Sequence, residues 1–340
     1  MRLKKLFFTV FPMRKVLIPV FCICFSVQTA QAAQELIPSG RTVGVTMDTK
    51  GLLVLGTGSV NGEEKKDSAP CKGILQTGDL ILEANGQFME NKEMLMEAVE
   101  KSEGKAVSLL VERNGREREL SVLPVFSAAD GSYKIGAWIR DSIQGIGTVT
   151  YIDPNSGSFG ALGHGVYDAD TDMLMDIRGG SLTAAELTGI VKGQKGKAGE
   201  LTGKIDLQEK IGVVEENTET GIFGTAEELF LAGEALPVAN RNEIRKGKAE
   251  ILSDLEGKGV CSYEIEIEGF GKKESRNHKD MTIRITDERL LRLTGGIVQG
   301  MSGSPIIQDG KLLGAVTYVL VNDPTRGYGI FIEDMLNAAE

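Results

Sequence analysis

Gly295-Gly-Ile-Val-Gln-Gly-Met-Ser-Gly-Ser-Pro-Ile-Ile-Gln-Asp-Gly-Lys-Leu-Leu-Gly-Ala-Val316 is the stretch on which the reading of this 340-residue chain turns. Ile306-Ile and Leu312 to Val316 are apolar, β-favouring runs, and the polar Asp309-Gly310 between them marks a hairpin. In front of the hairpin stands a corner of small residues, Gly300-Met-Ser-Gly-Ser-Pro305. With no side chain at Gly300, its N–H and that of Ser302 can point at one spot, which is what an oxyanion hole needs. One such donor is worth roughly 3–4 kcal/mol of transition-state stabilisation. Ser302 therefore reads as a nucleophile. Ser304 is a second hydroxyl nearby, and its plain reading is turn formation, because only Ser302 sits directly after Gly-x.

A serine nucleophile needs a base, and the chain has two histidines. His278 lies in the charged run Lys272-Lys-Glu-Ser-Arg-Asn-His-Lys-Asp280 and reads as a solvated loop residue. His164 lies in Ser158-Phe-Gly-Ala-Leu-Gly-His-Gly-Val-Tyr-Asp168, where glycines on both sides let the backbone turn sharply and approach a neighbour closely. An imidazole with an ordinary pKa of about 6.5 is suited to exchange protons there. With two histidines and two cysteines in the body, and no cluster of them, no metal is expected.

Outward from this pair, the chain from 127 to 340 is rich in glycine and short strands. Lys134 to Arg140, Gly147 to Ile152, Lys210 to Val214, Ala249 to Leu252, Tyr263 to Glu268, Met281 to Ile285 and Leu312 to Val319 all read as β. Tyr263 to Glu268 alternates strictly, which aims Ile265 and Ile267 inward. Short strands at this spacing indicate a mainly β segment, a sandwich or a pair of barrels. Glu215 to Glu219 and Arg241 to Lys248 read as solvated loops.

Residues 34–126 read differently. Val43 to Met47 and Leu52 to Leu55 are short strands, and Asn91 can cap a helix whose apolar Met94, Leu95, Ala98 and Val99 recur at three and four residues. Val107 to Glu112 and Glu117 to Val122 flank Asn114-Gly115, a hairpin turn. Ser68-Ala-Pro-Cys-Lys-Gly-Ile-Leu-Gln-Thr-Gly-Asp-Leu-Ile-Leu-Glu-Ala-Asn-Gly86 begins with a short helical turn and ends in a strand. This segment resembles a PDZ domain of the bacterial protease-associated kind. The resemblance implies an extended peptide lying beside the helix, with Met94, Leu95 and Ala98 on the groove.

The first 33 residues carry Arg2, Lys4, Lys5, Arg14 and Lys15, no acid, an apolar run from Val16 to Val27 and a small-residue Ala30-Gln-Ala32. This is a signal peptide, or an uncleaved membrane anchor, and implies that the body is exported. Without its five positive charges the net charge moves from −10 to −15, which argues against nucleic acid as a partner. Cys71 and Cys261, the two cysteines of the body, read as small buried hydrophobes rather than a bridge.

Gly300 to Pro305 resembles the Gly-Asp-Ser-Gly-Gly-Pro string of chymotrypsin-like serine proteases. Met301 stands where that string has Asp, so activation by a new N-terminus pairing with that Asp cannot operate here. More closely, Gly163-His-Gly165 with Gly-Met-Ser-Gly-Ser-Pro, behind a PDZ segment and an export leader, resembles the stage IV sporulation protein B peptidases of endospore-forming bacteria. That resemblance covers essentially the whole chain. It implies a leader at 1–33, a PDZ domain at 34–126 and a chymotrypsin-like β-barrel peptidase at 127–340. It also implies Ser302 as nucleophile, His164 as base, and an acid falling on Asp287; Asp168, Asp170, Asp172 and Glu288 compete for orienting the imidazole.

The activity implied is cleavage of a membrane-bound regulator of an intramembrane metalloprotease, and of the chain itself, in the space between forespore and mother cell. That cleavage matures a late sigma factor and requires no cofactor. The groove ligand is then a peptide tail or the chain's own N-terminus. An envelope quality-control protease and a non-catalytic PDZ adaptor are the competing readings.

Overall fold

A computed structural model describes residues 34–62, 67–227, 232–271 and 279–339. The leader and His278 lie outside the described residues. Among the described residues, no helix is long and apolar enough to cross a membrane.

The chain is mainly β. Six antiparallel strands close a first barrel in the order Thr42–Thr57, Ala137–Ile152, Ser158–Ala161, Gly221–Ala226, Gly199–Thr218 and Ile177–Val191, the last pairing back with Thr42–Thr57. Its interior is filled by Val43, Val45, Met47, Val149, Phe159, Leu182 and Ile222. A second closed barrel runs Gly247–Ser253, Cys261–Phe270, Met281–Ile285, Arg326–Phe331, Lys311–Val319 and Pro305–Gln308. Its core holds Ile251, Ile265, Ile267, Ile283, Ile306 and Val316. Ile265 and Ile267 point inward as their alternation predicts, while Glu266 faces out and pairs with Arg284.

The PDZ unit grows from the far end of the first barrel. Leu52 and Leu53, in the same strand that supplies Val43 and Val45 to the barrel, pair with Ile81 and Leu80, and the sheet continues through Val107–Arg113 and Arg116–Val122. Helix α1 (Lys92–Lys101) starts where predicted: the Asn91 side chain accepts from the Met94 N–H at 3.0 Å. Asn114 and Gly115 both take positive φ, as a two-residue hairpin demands. Asp79, from the Gly-Asp of the PDZ string, is buried and paired with Arg113 at 2.6 Å.

Strand pairing does not break at 126/127. Glu35–Pro38 pairs with Tyr151 and Ile152 and with Leu236–Pro237, and Thr42 to Thr49 pairs with barrel strands on both sides. Residues 35–49 thus complete the first barrel, and the PDZ elements are carried between two of its strands. Residues 69–75 form consecutive turns, closed by Lys72 N–H on the Ala69 carbonyl and by the Ile74 and Leu75 N–H groups on the Cys71 carbonyl. Cys71 is buried and Cys261 exposed, and both are free thiols. Burial pushes the Cys71 thiol up to about 12.

Helix α3 (Ile332–Ala338) sits where the two barrels meet. Leu36, Tyr151 and Phe223 come from the first, and Leu312, Ala315 and Ile330 from the second, all packing with Ile332 and Met335. Arg241 forms two 2.7 Å bonds to Asp334 and lies over the Phe331 ring. Asp280 accepts from Phe331 N–H at 3.2 Å; burial first, then the charge of Asp334, push its carboxyl up to about 6. A carboxyl raised in the fold binds its proton more tightly there than in the unfolded chain. Its contribution to stability is therefore lost as pH rises from about 4 to about 6. Asp280→Asn, which keeps the acceptor and stays neutral, should raise the melting temperature by a few degrees at pH 8 and leave it unchanged at pH 4. Equal melting curves at both pH values would rule out this reading.

Candidate functional site

Ser302 occupies the corner between Val298–Gln299 and Pro305–Gln308. Gly300 and Gly303 both have strongly positive φ, +98° and +97°, a conformation that other residues adopt only with strain. Within the corner, Met301 N–H donates to the Val298 carbonyl, Ser304 N–H to Met301, and Gly303 N–H to Val316 of the neighbouring strand. Those bonds do not involve the N–H groups of Gly300 and Ser302, the pair expected to face an oxyanion. Met301 and Ser304 are fully buried, and the Ser304 hydroxyl bonds to Ser253. Ser302 is part-exposed, and its hydroxyl donates to the Thr317 carbonyl at 2.7 Å.

The first barrel grips this corner through one residue that the sequence did not single out. Thr148 donates its N–H to the Ser302 carbonyl at 3.1 Å and its hydroxyl to the Gly300 carbonyl at 2.7 Å. Its own carbonyl accepts from Leu162 N–H, two residues before His164. Thr148 is 154 positions upstream of Ser302 in a run that reads only as strand, so no local pattern betrays it.

His164 follows Ser158–Ala161, after a reversal in which Leu162 and Gly163 both take φ of +69°. A side chain at Gly163 would meet Thr317, Ala315 and Ile330 of the second barrel at 3.1–3.2 Å, so glycine is what lets this loop lie against that barrel. The imidazole Nδ1 is 2.8 Å from the Gly165 carbonyl. A carbonyl only accepts, so Nδ1 carries the hydrogen and Nε2 keeps its lone pair. The ring stacks on Tyr318 with centroids 4.9 Å apart and planes 22° apart. Burial holds the imidazole below its ordinary pKa, with the Gly165 carbonyl opposing in part. Neutral at pH 7, it is in the form that can take a proton.

Ser302 and His164 are tied to consecutive residues of one strand: Thr317 accepts the serine hydroxyl and Tyr318 stacks on the imidazole. The acids are placed otherwise. Asp287 is the N-cap of α2 (Glu288–Thr294), accepting from the N–H groups of Arg289 and Leu290 and pairing with Arg289 at 2.7 Å. The Arg289 side chain, foremost among these bonds, draws its carboxyl down to about 2. Asp168 is buried, bonded to Arg140 and to the N–H groups of Asp170 and Thr171; Asp170 also pairs with Arg140 and Glu288 with Arg292. None of these bonds goes to His164. Asp172 donates its N–H to the Asp168 carbonyl in a positive-φ turn.

Beside α1 lies an open groove of about 930 Å³. Leu95, Met96 and Val99 line its helix side, and Ile135, Trp138 and Ile139 line the opposite side. Leu95 is on it as expected, whereas Met94 and Ala98 pack against the core of the PDZ unit and the exposed Met96 faces the groove. The helical period leaves open which side of the apolar stripe faces inward until the partner sheet is known.

A family model described as SpoIVB peptidase S55 matches residues 131–336. Among solved structures, the chain is similar to the PDZ domain of the SdrC-like protein of Listeria monocytogenes, at 21% identity over 26% of this chain and 87% of that one, with a TM-score of 0.22. It is similar to the active form of the Rv3671c protease from M. tuberculosis, at 14% identity over 57% of this chain and 72% of that one, TM-score 0.34. The HtrA-type protease AlgW with a tripeptide matches at 13% identity over 57% of this chain and 54% of that one, TM-score 0.32.

Proposed function

The chain belongs to the SpoIVB peptidase S55 family and is a serine endopeptidase, and from that premise we propose that Ser302 is its nucleophile, His164 its general base, and the Gly300 and Ser302 N–H groups its oxyanion hole. The observation that carries this is the shared strand: Thr317 holds the serine hydroxyl and Tyr318 the imidazole. In the proposed mechanism the Ser302 hydroxyl leaves the Thr317 carbonyl, which holds it at rest, for Nε2. Nε2 takes the proton as Oγ attacks a peptide carbonyl, the two N–H groups hold the oxyanion, and the imidazolium then protonates the leaving amine. Water attacks the acyl-enzyme through the same base. A fluorophosphonate probe should label Ser302 in the wild type and not in His164→Ala, read by mass spectrometry of the tryptic peptide. Labelling at Ser304 instead, or none, overturns the assignment.

Asp287 is assigned a different role from the triad acid: it shapes α2, which leads directly into the corner. Asp287→Asn keeps a good helix cap and should cost less than about tenfold in kcat, against roughly 10⁴ for loss of a true orienting acid. Steady-state kinetics at pH 8 decide between the two.

The physiological substrate we assign is a membrane-bound regulator whose cleavage frees an intramembrane metalloprotease during sporulation, with the chain exported and its leader a further target of its own activity. The family description and the leader's charge and apolar pattern support this. Complementation tests it: wild type should restore late sigma-factor processing to a sporulating strain lacking the gene, and Ser302→Ala should not. If Ser302→Ala restores it, the adaptor reading stands instead.

An apolar peptide tail fits the groove beside α1. Trp138 is the one tryptophan of the chain and is 66% exposed at the groove wall, so a bound tail should shift its emission to the blue. Met96→Glu, at an exposed position, should weaken that binding about tenfold by placing a charge against the apolar tail. An unshifted spectrum at millimolar peptide rules this out.

A further inference from the structure

We infer that Tyr318 is a positioning residue for the general base: by stacking on the His164 imidazole it ties the ring to the strand whose Thr317 carbonyl accepts the Ser302 hydroxyl. This rests on the assignment of His164 and Ser302 above. Two restraints act on the ring. The Gly165 carbonyl, one residue away, fixes which nitrogen carries hydrogen. It belongs to the same loop, however, and so cannot index the ring to the second barrel. The Tyr318 stack does that, because Tyr318 belongs to the strand Lys311–Val319, whose preceding residue, Thr317, accepts the Ser302 hydroxyl. One strand therefore sets both positions.

Four of the candidate acids pair with arginines: Asp168 and Asp170 with Arg140, Asp287 with Arg289, Glu288 with Arg292. Tyr318 is also supported from beyond the imidazole. The Lys279 ammonium lies 4.9 Å from the Tyr328 ring and 6.0 Å from that of Tyr318, a cation over two aromatic rings. The other titratable groups at the histidine's loop are Tyr167, Asp172 and Glu219, whose carbonyl accepts the Gly165 N–H. Burial raises both phenols, so neither changes charge in the range where the imidazole titrates.

The stack needs a ring and no hydroxyl. Tyr318→Phe should keep kcat within about threefold of wild type, while Tyr318→Leu should lower kcat on the order of 10–100-fold, the scale of a small misplacement of a catalytic group. KM for a short peptide should stay within about twofold in both. The ring also shields the imidazole from water. The acid limb of the kcat/KM profile should therefore move to higher pH in Tyr318→Leu, towards the ordinary histidine value, and stay put in Tyr318→Phe. A variant that merely folded poorly would lose active sites, by fluorophosphonate titration, without moving that limb.

Two results overturn the proposal: a Leu variant with wild-type kcat per labelled site, or a Phe variant as impaired as Leu. Failure of the underlying assignment looks different, since wild-type protein would then not be labelled at Ser302, whatever happens at Tyr318.

Discussion

Ser302→Ala should abolish peptide hydrolysis, with kcat falling on the order of 10⁴–10⁶-fold, while the fold stays intact. The size follows from the mechanism: without Oγ no acyl-enzyme forms, and what remains is orientation and oxyanion stabilisation acting on water, which in serine peptidases leaves a residual 10³–10⁴ over the uncatalysed rate. His164→Ala should cost a similar factor, and the double variant no more than either alone, because nucleophile and base act as one unit. Stability should hardly change. The lost hydroxyl makes one bond, to the Thr317 carbonyl, at a part-exposed position, worth about 1 kcal/mol or less. The measurement is single-turnover cleavage of a peptide spanning residues 20–45 of the chain, beside thermal melts. If the two singles multiply in the double variant, His164 and Ser302 work independently and the shared-strand reading fails.

The corner around Ser302 was legible because what it demands of the backbone is local. The glycines at 300 and 303 announce a corner, and their positive φ confirms why no larger residue stands there. With two histidines in the chain and one of them in a charged run, the choice of His164 was nearly forced. The PDZ helix, its Asn91 cap and the Asn114-Gly115 hairpin were legible for the same reason.

What sequence reasoning missed is non-local. Thr42–Thr57 reads as two short strands split at Lys50-Gly51, yet it is one continuous strand, half in the barrel and half in the PDZ unit. That continuity is what makes 35–49 part of the peptidase barrel. The long ribbon formed by Ile177–Val191 and Gly199–Thr218 went mostly unread. Beyond its barrel end its apolar residues are few and widely spaced, and Leu187, Ile190 and Leu201 pack against the core of the second barrel, a partner no local pattern reveals. Acidic 215–218 accordingly lies in a strand rather than a loop. Thr148 and Tyr318 were invisible as site residues because each looks like ordinary strand filling until the two barrels are brought together. Asp287 sits where an acid was expected in the sequence, but its carboxylate caps the helix that begins at the next residue.

The junction of the barrels is also where a single methyl group should damage the site. Gly303→Ala places a Cβ 2.6 Å from the Leu162 nitrogen and closer still to the Thr148 carbonyl oxygen, both backbone atoms of the first barrel that cannot swing aside, at a φ of +97°. Strain at such a φ costs on the order of 1–3 kcal/mol, and overpacking a tight contact a similar amount. The expected loss of stability is therefore about 2–6 kcal/mol, seen as a drop of several degrees in melting temperature. Activity should fall further than stability accounts for. Relieving the clash moves Thr148 away from the Gly300 and Ser302 carbonyls it holds, and moves Leu162, two residues from His164, away from the serine. Displacement of about 1 Å between base and nucleophile costs on the order of 10² in rate. Gly310→Ala separates clash from strain. Gly310 also has positive φ, +73°, but a Cβ there meets nothing within 4 Å, so that variant should lose about 1 kcal/mol and keep its kcat. If Gly303→Ala and Gly310→Ala behave alike in both melting and single-turnover rate, the close approach of the two barrels at Gly303 does not set the geometry of the site.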